Sequence, residues 1–355
     1  MIMYIANYLA FGIICILHKL NHLNKKVSCI LFALLQIAIV GLRHPLMGLH
    51  DTQFVFLRNL TRIYHFGIDF VIENTKDRLF QFLSYFFTRI FGLNEPLYVF
   101  LFSIPYIIAI TYLIYKYSNN IFLSFILFTS TSLFTTSFTL MRQINAMSML
   151  IFAFIALEHK KIKSFYVLVA IASLFHLVAV VFLIVPFLLK YFNKRIIAII
   201  LPISGLVLGL FFSPFVGRFV HFVVDINERF THMITRRQGN NLTPFFVFLT
   251  ILLATAFFSS KAKNEFLKKC VTIASVGVFF LPLAVVNREF ARVGSPFLPF
   301  LLVAYPNALD YIKREKYKLF IQIISTAVFI IYFLFFLIHT TGLYPYVPFW
   351  RAYPL

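Results

Sequence analysis

Apolar runs long enough, or nearly long enough, to cross a bilayer follow one another along the whole chain: 2–17, 27–42, 97–115, 121–139, 143–157, 196–213, 244–258, 270–286, 295–309 and 319–338. About 20 apolar residues in a helix traverse the hydrocarbon core, so a chain built this way folds only where lipid replaces water around it. Composition agrees: 61% of the 355 residues are hydrophobic and 12% charged, against about 25% charged in an ordinary soluble domain. The expectation is an all-α polytopic integral membrane protein with about ten spanning helices. It forms one membrane domain over 1–355, with no room for a separate soluble one. Met1 to Leu17 lacks a preceding basic region and a small-residue cleavage site, and is read as a retained first span.

Lysine and arginine orient the spans, because cytoplasmic loops carry the excess of both. Clusters stand at Lys19/Lys25/Lys26, Lys160/Lys161/Lys163, Lys190/Lys194/Arg195, Lys261/Lys263/Lys268/Lys269 and Lys313/Arg314/Lys316/Lys318. Placing all five inside puts both termini outside, together with a first extracytoplasmic loop, 43–96, and a second, 214–243. One apolar run, 164–189, then lies between two inside clusters and is too short to cross twice. It is expected to form a re-entrant helical pair broken near Phe175-His176, a break tolerated only where protein or a wet cavity surrounds it.

The formal net charge of +20 is spread over these short clusters rather than gathered in one patch, so no nucleic-acid partner is expected. The cations also sort by type. The inside set is lysine apart from Arg195 and Arg314, and the outside set is arginine apart from Lys76. Topology needs only positive charge, whereas arginine's planar fork matches phosphate and carboxylate bidentately. The outward face therefore reads as built to hold an anion.

Particular residues sharpen this. Arg43 and Asp51 flank Gly48 just beyond the second run; Arg43 as an interfacial snorkel and Asp51 as a helix cap is the competing reading. Asp77-Arg78 precedes 79–92, read as an interfacial helix with Asp77 near its N-terminus. Arg142 is the one charge between Lys116 and Glu158, and an ionisable residue at membrane depth suggests function; it also suits the turn of a helical hairpin. His176, isolated between Lys163 and Lys190, is either a hydrogen-bonded core histidine or a wet group at the break. Arg288 and Arg292 stand at i and i+4, fit to grip a pyrophosphate, with an ion pair to Glu289 as the alternative.

Phosphate-binding glycine loops, the nucleophile elbow and the zinc-protease motif are absent from the sequence. Cys15, Cys29 and Cys270 have no metal-ligand spacing. No cofactor and no metal are expected.

In order, Gly41-Leu42-Arg43 with Gly48 and Asp51-Thr52, Lys76-Asp77 before Leu79-Phe80, Arg142-Gln143 with Ala146, Ile171 to His176, and Arg288-Glu289-Phe290-Ala291-Arg292 resemble the EpsG family of Wzy-like polysaccharide polymerases. The resemblance covers about 40–295; Gly48 and Asp51 are three apart, one more than the family's habit, and Phe54 stands where it has a tyrosine. It implies a glycosyltransferase-C-like fold in the bacterial plasma membrane. The reaction it implies moves a growing glycan from a polyprenyl-pyrophosphate carrier onto another lipid-linked repeat unit, in O-antigen, capsule or exopolysaccharide assembly. Partners would be that lipid-linked oligosaccharide, the bilayer and other polysaccharide-assembly proteins. His176 or Asp51 would serve as the base, and Arg43, Asp77, Arg142, Arg288 and Arg292 would bind substrate. A lipid-linked oligosaccharide flippase, an O-antigen ligase and a membrane acyltransferase are the competing classes.

Overall fold

The computed structural model describes all residues outside 48–54, 74–75, 193, 195, 212–214, 216–217, 219–241, 261 and 353–355. Asp51 and nearly all of 214–243 thus lie outside the described residues. In order come α1 (Ile2–Lys19), α2 (Lys25–Gly41), α3 (Arg58–Glu73), α4 (Arg78–Phe91), α5 (Glu95–Tyr117), α6 (Ile121–Thr129), α7 (Ser132–Thr139), α8 (Met141–Glu158) and α9 (Ile162–Phe175). A 3-10 segment, Leu177–Ile184, leads to α10 (Val185–Tyr191), α11 (Ile197–Phe211), α12 (Thr243–Phe258), α13 (Glu265–Leu283), α14 (Glu289–Gly294), α15 (Leu301–Ala308) and α16 (Glu315–Tyr332). Among the described residues four helices begin at asparagines: Asn24, Asn94, Asn120 and Asn264 each accept a hydrogen bond from the backbone N–H three residues on, satisfying a donor the first turn leaves open.

Five of these helices are long and apolar enough to cross a membrane: α1, α5, α8, α13 and the stretch Glu315–Thr340 that continues α16. The helix α16 has no buried side chain, although Leu319, Phe320, Ile323, Val328 and Ile331 crowd its surface. From Leu319 onward every exposed side chain of α16 is apolar, a surface at home in lipid.

The remaining expected spans differ from continuous helices in ways local chemistry explains. The run 121–139 is bent by 54° between α6 and α7. There the hydroxyls of Thr129 and Thr131 donate back to the carbonyls of Phe125 and Phe128, competing with the helical ladder. The run 295–309 is broken into a 3-10 turn, Ser295–Phe297, and the short α15; Pro296 and Pro299 bring no N–H and cannot continue a helix interior. The runs 27–42, 196–213 and 244–258 form α2, α11 and α12, helices of 17, 15 and 16 residues. The segment 164–189 does break where expected: α9 ends at Phe175, and His176 is extended at φ −159°, ψ 120°.

The helices gather into two compact units, one of 1–180 with 321–355 and one of 181–320. In the first, α2 packs on α5, α5 on α8 and α8 on α9. Its interior is aromatic: Phe32 lies 4.7 Å from Phe11 and 4.5 Å from Phe125, ring to ring. The chain's end closes this unit. Tyr4 Oη donates to Leu343 O at 2.9 Å and Tyr346 Oη to Ile39 O at 2.9 Å. His44 N donates to Val347 O at 2.7 Å and Phe349 N to Leu42 O at 3.0 Å, around an antiparallel bridge between Arg43 and Pro348.

In the second unit α11 lies against α13 through glycine. A Cβ on Gly205 would stand 2.2 Å from the carbonyl oxygen of Phe279, and one on Gly209 would stand 2.7 Å from that of Pro282. Lacking any driving force from water, helices in lipid gain by such close approach.

Candidate functional site

Three residues from separate segments of the first unit meet: Asp77, Arg142 and His176. Asp77 occupies the N-cap position of α4 in the left-handed region, at φ 52°, and its side chain makes no capping hydrogen bond. Aspartate tolerates that conformation better than most residues. Its carboxylate is turned away from the helix it starts. Oδ2 accepts from Nη1 of Arg142, and Oδ1 lies 3.4 Å from Nδ1 of His176.

Each partner has a local reason to need that carboxylate. Arg142 sits in the first turn of α8, where the helix dipole disfavours a cation; the negative charge of Asp77 offsets this. Its guanidinium also stacks on the Phe56 ring, 5.2 Å from the centroid, a contact that strengthens as water is excluded. His176 caps the C-terminal end of α9, its backbone N–H donating to Ala172 O at 3.0 Å. With Nδ1 facing Asp77, the ring's Nε2 is the nitrogen left for other chemistry, and the facing carboxylate favours the tautomer with the proton on Nδ1.

The site is partly closed: the side chains of Asp77, His176 and Arg142 are 9%, 17% and 24% exposed. Behind them Phe80 packs on Phe56 and Phe102 at 5.7 and 5.1 Å, and Tyr98 Oη shares a 2.7 Å hydrogen bond with Ser84 Oγ. Burial pushes the Asp77 carboxyl pKa up, but the hydrogen bond from His176 and the charge of Arg142 outweigh it and hold the group below the usual carboxylate range. A depressed carboxylate stabilises the fold above its unfolded pKa, about 4. That contribution is lost as pH falls through the lower folded value.

The other expected site residues have different surroundings. Arg43 is fully buried. Its guanidinium donates to Val40 O and, at 2.9 Å, to Phe138 O, carbonyls in the last turns of α2 and α7, and it lies 5.2 Å from the Phe138 ring centroid. A cation set against two helix C-termini is favoured by both dipoles, so Arg43 ties α2 to α7 instead of facing an open pocket. Arg43→Ala is expected to cost about 3 kcal/mol, from two lost hydrogen bonds to a charged donor. The measurable outcome is a lower melting midpoint and lower abundance, with activity falling in proportion; loss of activity at full abundance would return Arg43 to the substrate.

In the second unit Arg292 lies 3.4 Å from Glu289, the ion pair that was the alternative to anion binding, while Arg288 is exposed. A residue not singled out from the sequence is Phe56, which backs Arg142; among 48 phenylalanines it carries no distinguishing signal. What the cluster offers chemically is a carboxylate-oriented imidazole beside a half-open guanidinium: a proton acceptor next to an anion holder.

No curated protein and no solved structure matches the chain. A family model described as the EpsG family matches residues 5–348, nearly the whole length, and the chain belongs to the EpsG family, whose members have an exopolysaccharide polymerase-like role.

Proposed function

We propose that the protein polymerises lipid-linked oligosaccharide repeat units at the outer face of the bacterial plasma membrane, moving the growing glycan from a polyprenyl-pyrophosphate carrier to the sugar of the next unit. The observation that carries this reading is the meeting of Asp77, Arg142 and His176 in a helical chain of this family. His176 Nε2 takes the proton of the acceptor hydroxyl. The new bond forms between that oxygen and the anomeric carbon of the donor. The bond from that carbon to the phosphate oxygen breaks, and the pyrophosphate leaves with the electron pair. Arg142 binds the pyrophosphate and stabilises the charge it gains, the kind of preorganised electrostatic stabilisation that dominates such transfers. Asp77 holds both groups in place, and the activated sugar–pyrophosphate bond supplies the driving force.

The deciding experiment is the lipid-linked glycan profile of a deletion strain. A polymerase leaves single repeat units on the carrier at the outer face. A flippase leaves them at the inner face, and a ligase leaves long chains still on the carrier. Within that assay Arg142→Lys is expected to fall about as far as Arg142→Ala, because lysine keeps the charge and loses the planar fork. Normal chain length from Arg142→Lys at matched protein level would contradict the anion role.

A further inference from the structure

The cluster contains one carboxylate and two groups that are cationic during transfer. Arg142 is the permanent cation, and it has the direct claim on Asp77: Nη1 donates to Oδ2. His176 Nδ1, at 3.4 Å from Oδ1, stands beyond the roughly 2.7–2.9 Å of a charge-assisted hydrogen bond. Once His176 has taken a proton there are two positive charges and a single negative one. A pyrophosphate at Arg142 brings the missing negative charge, so that the guanidinium pairs with pyrophosphate and the imidazolium with the carboxylate.

We infer that Arg142 is a substrate-operated latch: the arriving pyrophosphate draws its guanidinium from Asp77, and Asp77 turns its charge to His176, so the base is armed only when the donor is seated. The inference rests on the transfer reading above and adds to it the order of events.

The surroundings leave Asp77 little choice. Its side chain is 9% exposed, so water is scarce there, and a carboxylate beside an incoming anion is repelled by it. Among the described residues the ionisable or charged groups around it are these. The turn before α4 brings Lys76 and Arg78, both exposed. The helix α5 brings the Tyr98 hydroxyl, bonded to Ser84, and α8 brings Arg142. The end of α9 brings His176, the donor within reach once Arg142 leaves. Arg142 is 24% exposed, and the Phe56 ring gives its guanidinium a face to slide on.

The test uses the full chain in lipid nanodiscs with inorganic pyrophosphate as the probe. It reads the Nδ1–H proton resonance of His176 by nitrogen-correlated NMR, assigned by its disappearance in His176→Asn. Pyrophosphate is expected to move this resonance downfield, as the hydrogen bond to Asp77 shortens. Arg142→Gln is expected to show the shifted position without pyrophosphate and to respond no further, and Asp77→Asn to show no response. An unshifted resonance in Arg142→Gln, no response of the wild type at saturating pyrophosphate, or an equal response in Asp77→Asn overturns the latch; the last would mean that the anion acts on His176 by its own charge. Where Asp77→Asn fails to fold, Arg142→Gln alone decides. Wild-type polymerisation by His176→Asn, with the expected pyrophosphate response in the unsubstituted chain, removes the base reading and leaves the exchange standing.

Discussion

Asp77→Asn is expected to stop chain growth at nearly full protein abundance, cutting polymerisation about 10³-fold, within the range contributed by a positioned acid or base. Asparagine has the same shape and still accepts a hydrogen bond, so the turn into α4 survives. The charge does not. Arg142 is left as a cation in the first turn of a helix without its counter-ion, and the His176 ring loses the group facing Nδ1. Because Asp77 acts through these two side chains, the loss belongs in kcat. A loss confined to KM would mean that Asp77 touches the sugar directly. Lipid-linked glycan length at matched protein level is the measurement, and full-length glycan from Asp77→Asn sinks the assignment.

His176→Asn is expected to be nearly as severe, a fall of about 10²- to 10⁴-fold for a missing general base. The variant keeps a hydrogen-bonding side chain at the extended residue that ends α9 and removes the nitrogen that titrates. Single lipid-linked units should accumulate while the protein inserts normally. A core histidine would behave otherwise, lowering abundance and activity together. Wild-type specific activity would falsify the base role and transfer it to Asp51.

How far the sequence carries the reader depends on distance along the chain. The break at His176 was legible because two lysine clusters claimed one side of the membrane with too few residues between them for two crossings. The asparagine caps at Asn24, Asn94, Asn120 and Asn264 were not singled out from the sequence, because the same residue type also stands inside helices, at Asn7 and Asn145. Asp77, Arg142 and His176 could each be singled out from charge placed in apolar surroundings. Their meeting could not, since Asp77 is 65 positions from Arg142 and 99 from His176, and pairing at such range is decided by how α4 and α9 pack. Arg43 illustrates the same limit: the Phe138 carbonyl that its guanidinium reaches lies 95 positions on. The break in 295–309 has a different cause. Hydropathy favoured a span, and Pro296 and Pro299 had the stronger physical claim.

The hydrogen bonds that join Tyr4, Ile39, Leu42 and His44 to the chain's last residues bear on biogenesis. The unit that holds Asp77, Arg142 and His176 is discontinuous, its first part made early and its closing piece, 321–355, made only after 181–320. Between them the ribosome delivers all of 181–320. Helices α1 to α9 are therefore synthesised before the residues that bond to the α2 exit, and a chain cut before Leu343 lacks that clasp.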